Sequence, residues 1–206
     1  KLLRGRLAVK KYIVNEFFYS IQGEGIRAGT ANLFLRFAGC NEQCRRDTHG
    51  FDCDTDFSQG TWMTLDEIIR GLRAAAPRCE WVILTGGEPS LQVDRELIDG
   101  LHAAGWKLAI ETNGSVALPD GIDWITVSPK SDEHAIRQRV ADEVKYVITD
   151  RQHLPITEVN AKYKLISPAF HGDQIDKKAL AWCIMLVQDH PEWRLSVQQH
   201  KHWGIR

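Results

Sequence analysis

A recurring unit constrains this chain most: a short apolar run that stops abruptly in polar residues with Gly or Pro. Ala31–Phe37 runs into a cysteine-bearing stretch at 39–56, and 81–85 runs into Gly86-Gly87-Glu88-Pro89. The run 106–110 ends in Glu111-Thr112-Asn113-Gly114, and 122–127 ends in Ser128-Pro129-Lys130. Helix-like stretches alternate with these runs, which predicts an α/β fold with a largely parallel sheet. In such folds the loops at the C-terminal ends of the strands hold the site, so several polar strand tips describe one shared site.

The remaining pattern fills in this plan. A first strand is expected over 13–19, ending in Ser20-Ile21-Gln22-Gly23-Glu24-Gly25, where the glycines permit a turn or a close backbone approach. Thr64 with Glu67 forms a capping box that opens a helix with Leu65, Ile68, Ile69 and Leu72 inward, and Pro77 stops it. A helix over 93–104 turns Leu97, Ile98 and Leu101 inward; another over 176–188 presents Leu180, Ile184 and Val187. Strands are expected at 144–148, 163–166 and 193–197, and loop or irregular helix at 150–161. The polar segment 198–202 either reaches the site or lies on the surface. Residues 1–206 read as one domain, with 1–11 as a flexible arm. Arg36 stands in an apolar run, so its guanidinium must meet a carboxylate, in the protein or on a ligand.

Cys40, Cys44 and Cys53 are three of five cysteines and share one loop, spaced C-x3-C-x8-C. Soft thiolates select an iron–sulfur cluster, zinc or Cu(I). Three sulfurs on a cubane would leave one iron open for chemistry, by analogy with a catalytic zinc that keeps a free position. Zinc on the three thiols and His49 is the alternative, and a disulfide with a spare thiol is another. Cys79 and Cys183 read as small core residues.

Composition narrows the setting. An odd cysteine count without a secretory pattern fits a reducing compartment, and a cytoplasmic protein is expected. A formal net charge of −1 gives no basic excess for a nucleic acid, and no apolar run is long enough for a bilayer.

Taken in order, the motifs resemble a known family. They are Phe17-Phe18-Tyr19-Ser20-Ile21-Gln22-Gly23-Glu24-Gly25, Arg36-Phe37-Ala38-Gly39-Cys40-Asn41, Cys53-Asp54-Thr55 and Thr85-Gly86-Gly87-Glu88-Pro89. Glu111-Thr112-Asn113-Gly114, Val127-Ser128-Pro129-Lys130, Trp193-Arg194-Leu195-Ser196 and Gln199-His200-Lys201 complete the set. From about residue 14 onward the chain resembles the 7-carboxy-7-deazaguanine synthases, radical S-adenosylmethionine enzymes of the queuosine-precursor pathway. The resemblance implies a partial, incomplete β/α barrel with a shortened helical layer. It implies a [4Fe–4S] cluster on Cys40, Cys44 and Cys53, although the commonest spacing in such enzymes is C-x3-C-x2-C. S-adenosylmethionine would lie against Gly87, Glu88, Glu111, Ser128, Pro129 and Lys130. The substrate, 6-carboxy-5,6,7,8-tetrahydropterin, would meet Ile21, Gln22, Gly23, Arg36 and Thr85, and Mg2+ would take Thr55. The implied reaction is a radical ring contraction with loss of ammonia. The implied partners are a flavodoxin or ferredoxin as reductant and a second copy in a homodimer.

Overall fold

A computed structural model describes residues 9–42, 44–53 and 55–206. In chain order its elements are β1 (Lys11–Ile21), β2 (Ala31–Phe37), α1 (Arg46–His49), β3 (Thr61–Thr64) and α2 (Leu65–Ala75). β4 (Trp81–Gly86), α3 (Arg95–Ala103), β5 (Lys107–Thr112), β6 (Trp124–Val127) and β7 (Val140–Ile148) follow. β8 (Asn160–Pro168), β9 (Phe170–His171), β10 (Gln174–Ile175), α4 (Lys177–Asp189), β11 (Trp193–Leu195) and α5 (Gln199–Trp203) complete the chain.

Nine strands form one open sheet, ordered β11-β8-β7-β6-β5-β4-β2-β1-β3. From β2 to β11 every neighbouring pair is parallel, while β1 runs antiparallel to both β2 and β3. The sheet has two free ends, so it is an incomplete barrel as expected. Only α2, α3 and α4 are helices of nine residues or more among the described residues; between β5 and β8 there is no α-helix, only a 3-10 turn at Glu133–Ala135 before β7.

Strand alternation sorts the two faces. On β2, Leu33, Leu35 and Phe37 are fully buried in the main core, while Phe34 and Arg36 line a cavity on the other face. On β4, Val82 and Leu84 enter the core and Thr85 the cavity; on β5, Leu108 and Ile110 enter the core and Glu111 the cavity. On β7, Val144, Tyr146 and Ile148 join a second core, opposite Lys145 and Val147.

The capping box forms as expected. Glu67 N donates to Thr64 Oγ1 at 3.3 Å, and Thr64 N donates to Glu67 Oε2 at 2.7 Å. α2 buries Ile68 and Leu72 in the core cluster that also holds Val14 and Leu35, worth roughly 1.5–3 kcal/mol for each side chain. α3 starts one residue after its N-cap Asp94, which accepts from Leu97 N at 2.9 Å.

Four expectations need correction. The proposed arm at 1–11 ends sooner: Lys11 already pairs with Thr64, Lys10 pairs with Asp94, and residues 1–8 lie outside the described residues. The stretch 150–161 contains no helix, and Asn160 opens β8, because its backbone pairs with Val140. In α4 the packed face is Ala179, Cys183, Leu186 and Val187, with Ile184 43% exposed. β3 was not anticipated; its four residues are held by edge pairing with β1.

Candidate active site

The C-terminal ends of the parallel strands surround a cavity of about 930 Å³. Cys40, Cys44, Cys53 and Thr55 line it, from the loop after β2. Two glycines after β4 bring that loop close. Gly86 has φ +120°, a backbone that side chains with a Cβ avoid. A Cβ on Gly87 would lie 1.9 Å from Gly39 O and 3.2 Å from Cys40 Cβ. Gly87 N donates to Phe37 O at 3.0 Å, and Glu88 N to Gly39 O at 2.9 Å. These bonds seat the turn after β4 directly behind Cys40.

The long gap in the cysteine spacing folds as a closed excursion. α1 occupies 46–49, Gly50 caps it in the left-handed region, and Cys53 N donates back to Cys44 O at 3.3 Å. Burial pushes the Cys40 thiol up, with Glu88 and Cys53 adding and a backbone bond from Glu42 opposing. Burial also raises Cys44, against the pull of Lys130. A bound soft cation replaces the proton that such thiols otherwise retain. Among the described residues, no three His, Cys, Asp or Glu side chains already converge as a metal-binding group. The donor set suits an iron–sulfur cluster: three thiols share one cavity wall behind a glycine turn that admits no side chain. His49 lies outside the lining; its Nδ1 faces Thr48 Oγ1 at 2.7 Å and its Nε2 faces Glu42 at 4.0 Å. The fourth ligand expected for zinc, His49, is therefore not on the wall that the thiols share.

Groups from the ends of β4, β5 and β6 join this wall. Glu88 is 1% exposed, and its oxygens accept from Thr112 Oγ1 at 2.6 Å, Asn113 N at 2.7 Å and Ser90 N at 2.9 Å. It ties the turn after β4 to the end of β5 and also reaches the cavity wall. Ser128 and Lys130 line the cavity, whereas Pro129 is buried outside the lining. Ser128 Oγ is buried with no hydrogen-bond partner, an orphan hydroxyl that a ligand would satisfy.

Arg36 finds its carboxylate within the protein: Nη1 lies 3.1 Å from Glu16 Oε1. Arg206 pairs with the same Glu16, and both guanidinium groups lie over the Phe18 ring, at 5.1 and 4.8 Å. Two cations thus share one carboxylate, and both line the cavity. Ile21, Gln22, Gly23 and Thr85 line it as well. Gln22 Nε2 donates to Glu111 Oε1 at 3.2 Å.

Sequence reading did not single out Glu24 or Lys145 and left Gln198 and His200 open between site and surface; all four line the cavity. Lys145 Nζ lies 2.7 Å from Glu24 Oε2 and 3.4 Å from Glu111 Oε2. The signal for Lys145 was the one used for Arg36, a cation inside an apolar strand. Gly23 carries the contact with α5: Gln199 N donates to Gly23 O at 3.0 Å, and a Cβ there would strike His200. The segment 198–202 therefore reaches the site.

An open parallel sheet with thiols at its C-terminal rim defines the radical S-adenosylmethionine class of enzyme. A model of the radical SAM superfamily matches residues 36–155. The chain is 41% identical over 213 residues to the 7-carboxy-7-deazaguanine synthase of Bradyrhizobium diazoefficiens, covering 95% of this chain and 99% of that one. It is 44% identical over 194 residues to the same-named protein of Bacteroides thetaiotaomicron, covering 94% and 98%. The chain belongs to the 7-carboxy-7-deazaguanine synthase family of the radical SAM superfamily. The crystal structure of QueE from Escherichia coli shares the fold, with a TM-score of 0.70 and 22% identity over 91% of this chain and 93% of that one.

Proposed function

We propose that this enzyme converts 6-carboxy-5,6,7,8-tetrahydropterin to 7-carboxy-7-deazaguanine with release of ammonia. One observation carries the reading: the cavity that holds the three thiols also has a cationic wall, Arg36 with Arg206, and an acceptor-rich floor, Gln22, Glu24 and Glu111. When bound, a [4Fe–4S] cluster with S-adenosylmethionine supplies a carbon-centred radical. Cys40, Cys44 and Cys53 would hold the cluster. Gly87, Ser128 and Lys130 would face the nucleoside, the Ser128 hydroxyl gaining its missing partner, with Glu88 and Pro129 shaping that wall.

The chain's own residues bind and orient. A carboxylated ring needs a cation, and Arg36 and Arg206 bring two guanidinium groups to that wall. Flat pterin edges carry N–H donors, which the Gln22 side chain and the Glu111 carboxylate accept. Glu111 therefore belongs with the substrate rather than the nucleoside in this reading. Ile21, Gly23 and Thr85 complete the walls. The Thr55 hydroxyl at the rim suits a hard Mg2+ that takes its other oxygens from water and substrate. A flavodoxin or ferredoxin would deliver the electron, the chain would act as one unit within a homodimer, and the setting would be cytoplasmic. No helix among the described residues is long and apolar enough to cross a membrane.

The test is direct. Anaerobically reconstituted protein, given reductant, S-adenosylmethionine and 6-carboxy-5,6,7,8-tetrahydropterin, should yield 7-carboxy-7-deazaguanine by mass spectrometry. Formation of 5′-deoxyadenosine without the deazaguanine would keep the superfamily chemistry and reject this substrate.

A further inference from the structure

The floor of the cavity carries more charge than holding a flat ring requires. Glu143, Lys145 and Val147 are alternate residues of β7 and so point to one face. The first lies below the cavity: Glu143 Oε1 accepts from Trp124 Nε1 at 2.7 Å and Oε2 from Ile26 N at 3.1 Å, so both its oxygens are spent on the fold. Lys145, one step higher, is 8% exposed and reaches two carboxylates from different elements. It treats them unequally. Glu24 takes the short contact at 2.7 Å, and its other oxygen accepts from Gln198 Nε2 at 3.0 Å. Glu111 takes the long contact at 3.4 Å and one side-chain amide, Gln22 Nε2, at 3.2 Å.

We propose that Lys145 is a positioning residue that clamps Glu24 as a fixed anion and leaves Glu111 as the floor carboxyl that exchanges a proton with whatever binds above it. The charged groups facing Glu111 are Glu24 and Arg27 from the turn between β1 and β2, and Glu143 and Lys145 from β7; His200 of α5 faces Glu24. Burial pushes Glu24 up, but Lys145 and Gln198 outweigh it and bring its pKa down to about 2. At Glu111 burial prevails over Lys145, with Glu24 and Glu143 adding, and the pKa rises to about 7. A carboxyl poised there is suited to general acid–base work. On the reading given above, on which this role rests, a nitrogen leaves as ammonia and must gain protons.

The experiment needs no turnover, so its failure is distinct from failure of the proposed reaction. Anaerobic holoprotein labelled with 13C at the glutamate Cδ is titrated by NMR from about pH 4 to about pH 11, a range running from the ordinary carboxyl values past the ordinary lysine value. Glu111→Gln and Glu24→Gln assign the two signals. The Glu111 signal should titrate near neutrality while Glu24 stays ionised throughout. Lys145→Met should raise the Glu111 midpoint by about one to three pH units, the usual effect of losing an adjacent opposite charge. Lys145→Arg should restore most of that shift. A Glu111 midpoint in the ordinary carboxylate range overturns the proposal using wild-type protein alone, even if Lys145→Met does not fold. So does a midpoint that Lys145→Met leaves unmoved, which would mark Lys145 as merely structural.

Discussion

At the scale of single residues, the site depends on places where a side chain is forbidden as much as on those where one is required. Gly87 is the clearest case, because its α-carbon faces Gly39 O and the Cys40 side chain. Gly87→Ala should push the cysteine loop outward; iron and acid-labile sulfide per chain should fall well below the wild-type count after identical reconstitution. Unchanged iron with unchanged thermal stability would show that the loop yields. The buried carboxylates carry a pH signature too. Glu24, lowered from 4.5 to about 2, adds stability that is complete above 4.5 and is lost as pH falls toward about 2. Glu111, raised from 4.5 to about 7, binds its proton more tightly when folded, so stability falls as pH rises from 4.5 to about 7. Chemical denaturation of the wild type should therefore show a decline across that upper window, and Glu111→Gln should flatten it. Much of this layer was legible. The thiols, Arg36 and the glycine turn stand out by residue type and spacing. Lys145 stood in an equally apolar run and carried the same signal, while Glu24 was read only as part of a turn. Arg206 pairing with Glu16 was beyond reach, since 190 residues separate them and only the fold brings them together.

At the scale of elements, the cysteine loop explains how a C-x8-C gap serves where C-x2-C is commoner. The bond from Cys53 N to Cys44 O closes the loop as the bond between the first and fourth residues closes a β-turn, but across nine positions instead of three. The extra residues leave and return at that neck, spending themselves on α1 and the left-handed Gly50. Replacing 45–52 with two turn-forming residues should therefore preserve iron and sulfide content while removing Phe51 and Asp52 from the cavity wall. Loss of the cluster in that variant would mean that α1 itself holds the ligands in place. Long periodic elements such as α2 and β2 were readable because one face of each is uniformly apolar. β3 was not, since Thr61-Trp62-Met63-Thr64 takes its shape from pairing with β1 rather than from its own pattern. α4 misled for a related reason: it is apolar nearly all round, so periodicity could not choose its packed face.

At the scale of the whole molecule, the parallel run from β2 to β11 follows from the strand-and-tip repeat. Between β5 and β8 the connections run as turns and loops without an α-helix. What no repeat foretold is how the other end of the arc is closed. The turn between β1 and β2 crosses there: Gly25 N donates to Ser196 Oγ at 3.0 Å, and the Arg27 guanidinium lies 3.6 Å from the centre of the Trp81 ring, at the first residue of β4. Glu143, beside Lys145 on the same face of β7, is tied into the same turn by Ile26 N. Two segments remote in sequence thus brace one turn, so a change at Ser196 or Trp81 would be felt at the turn that carries Glu24.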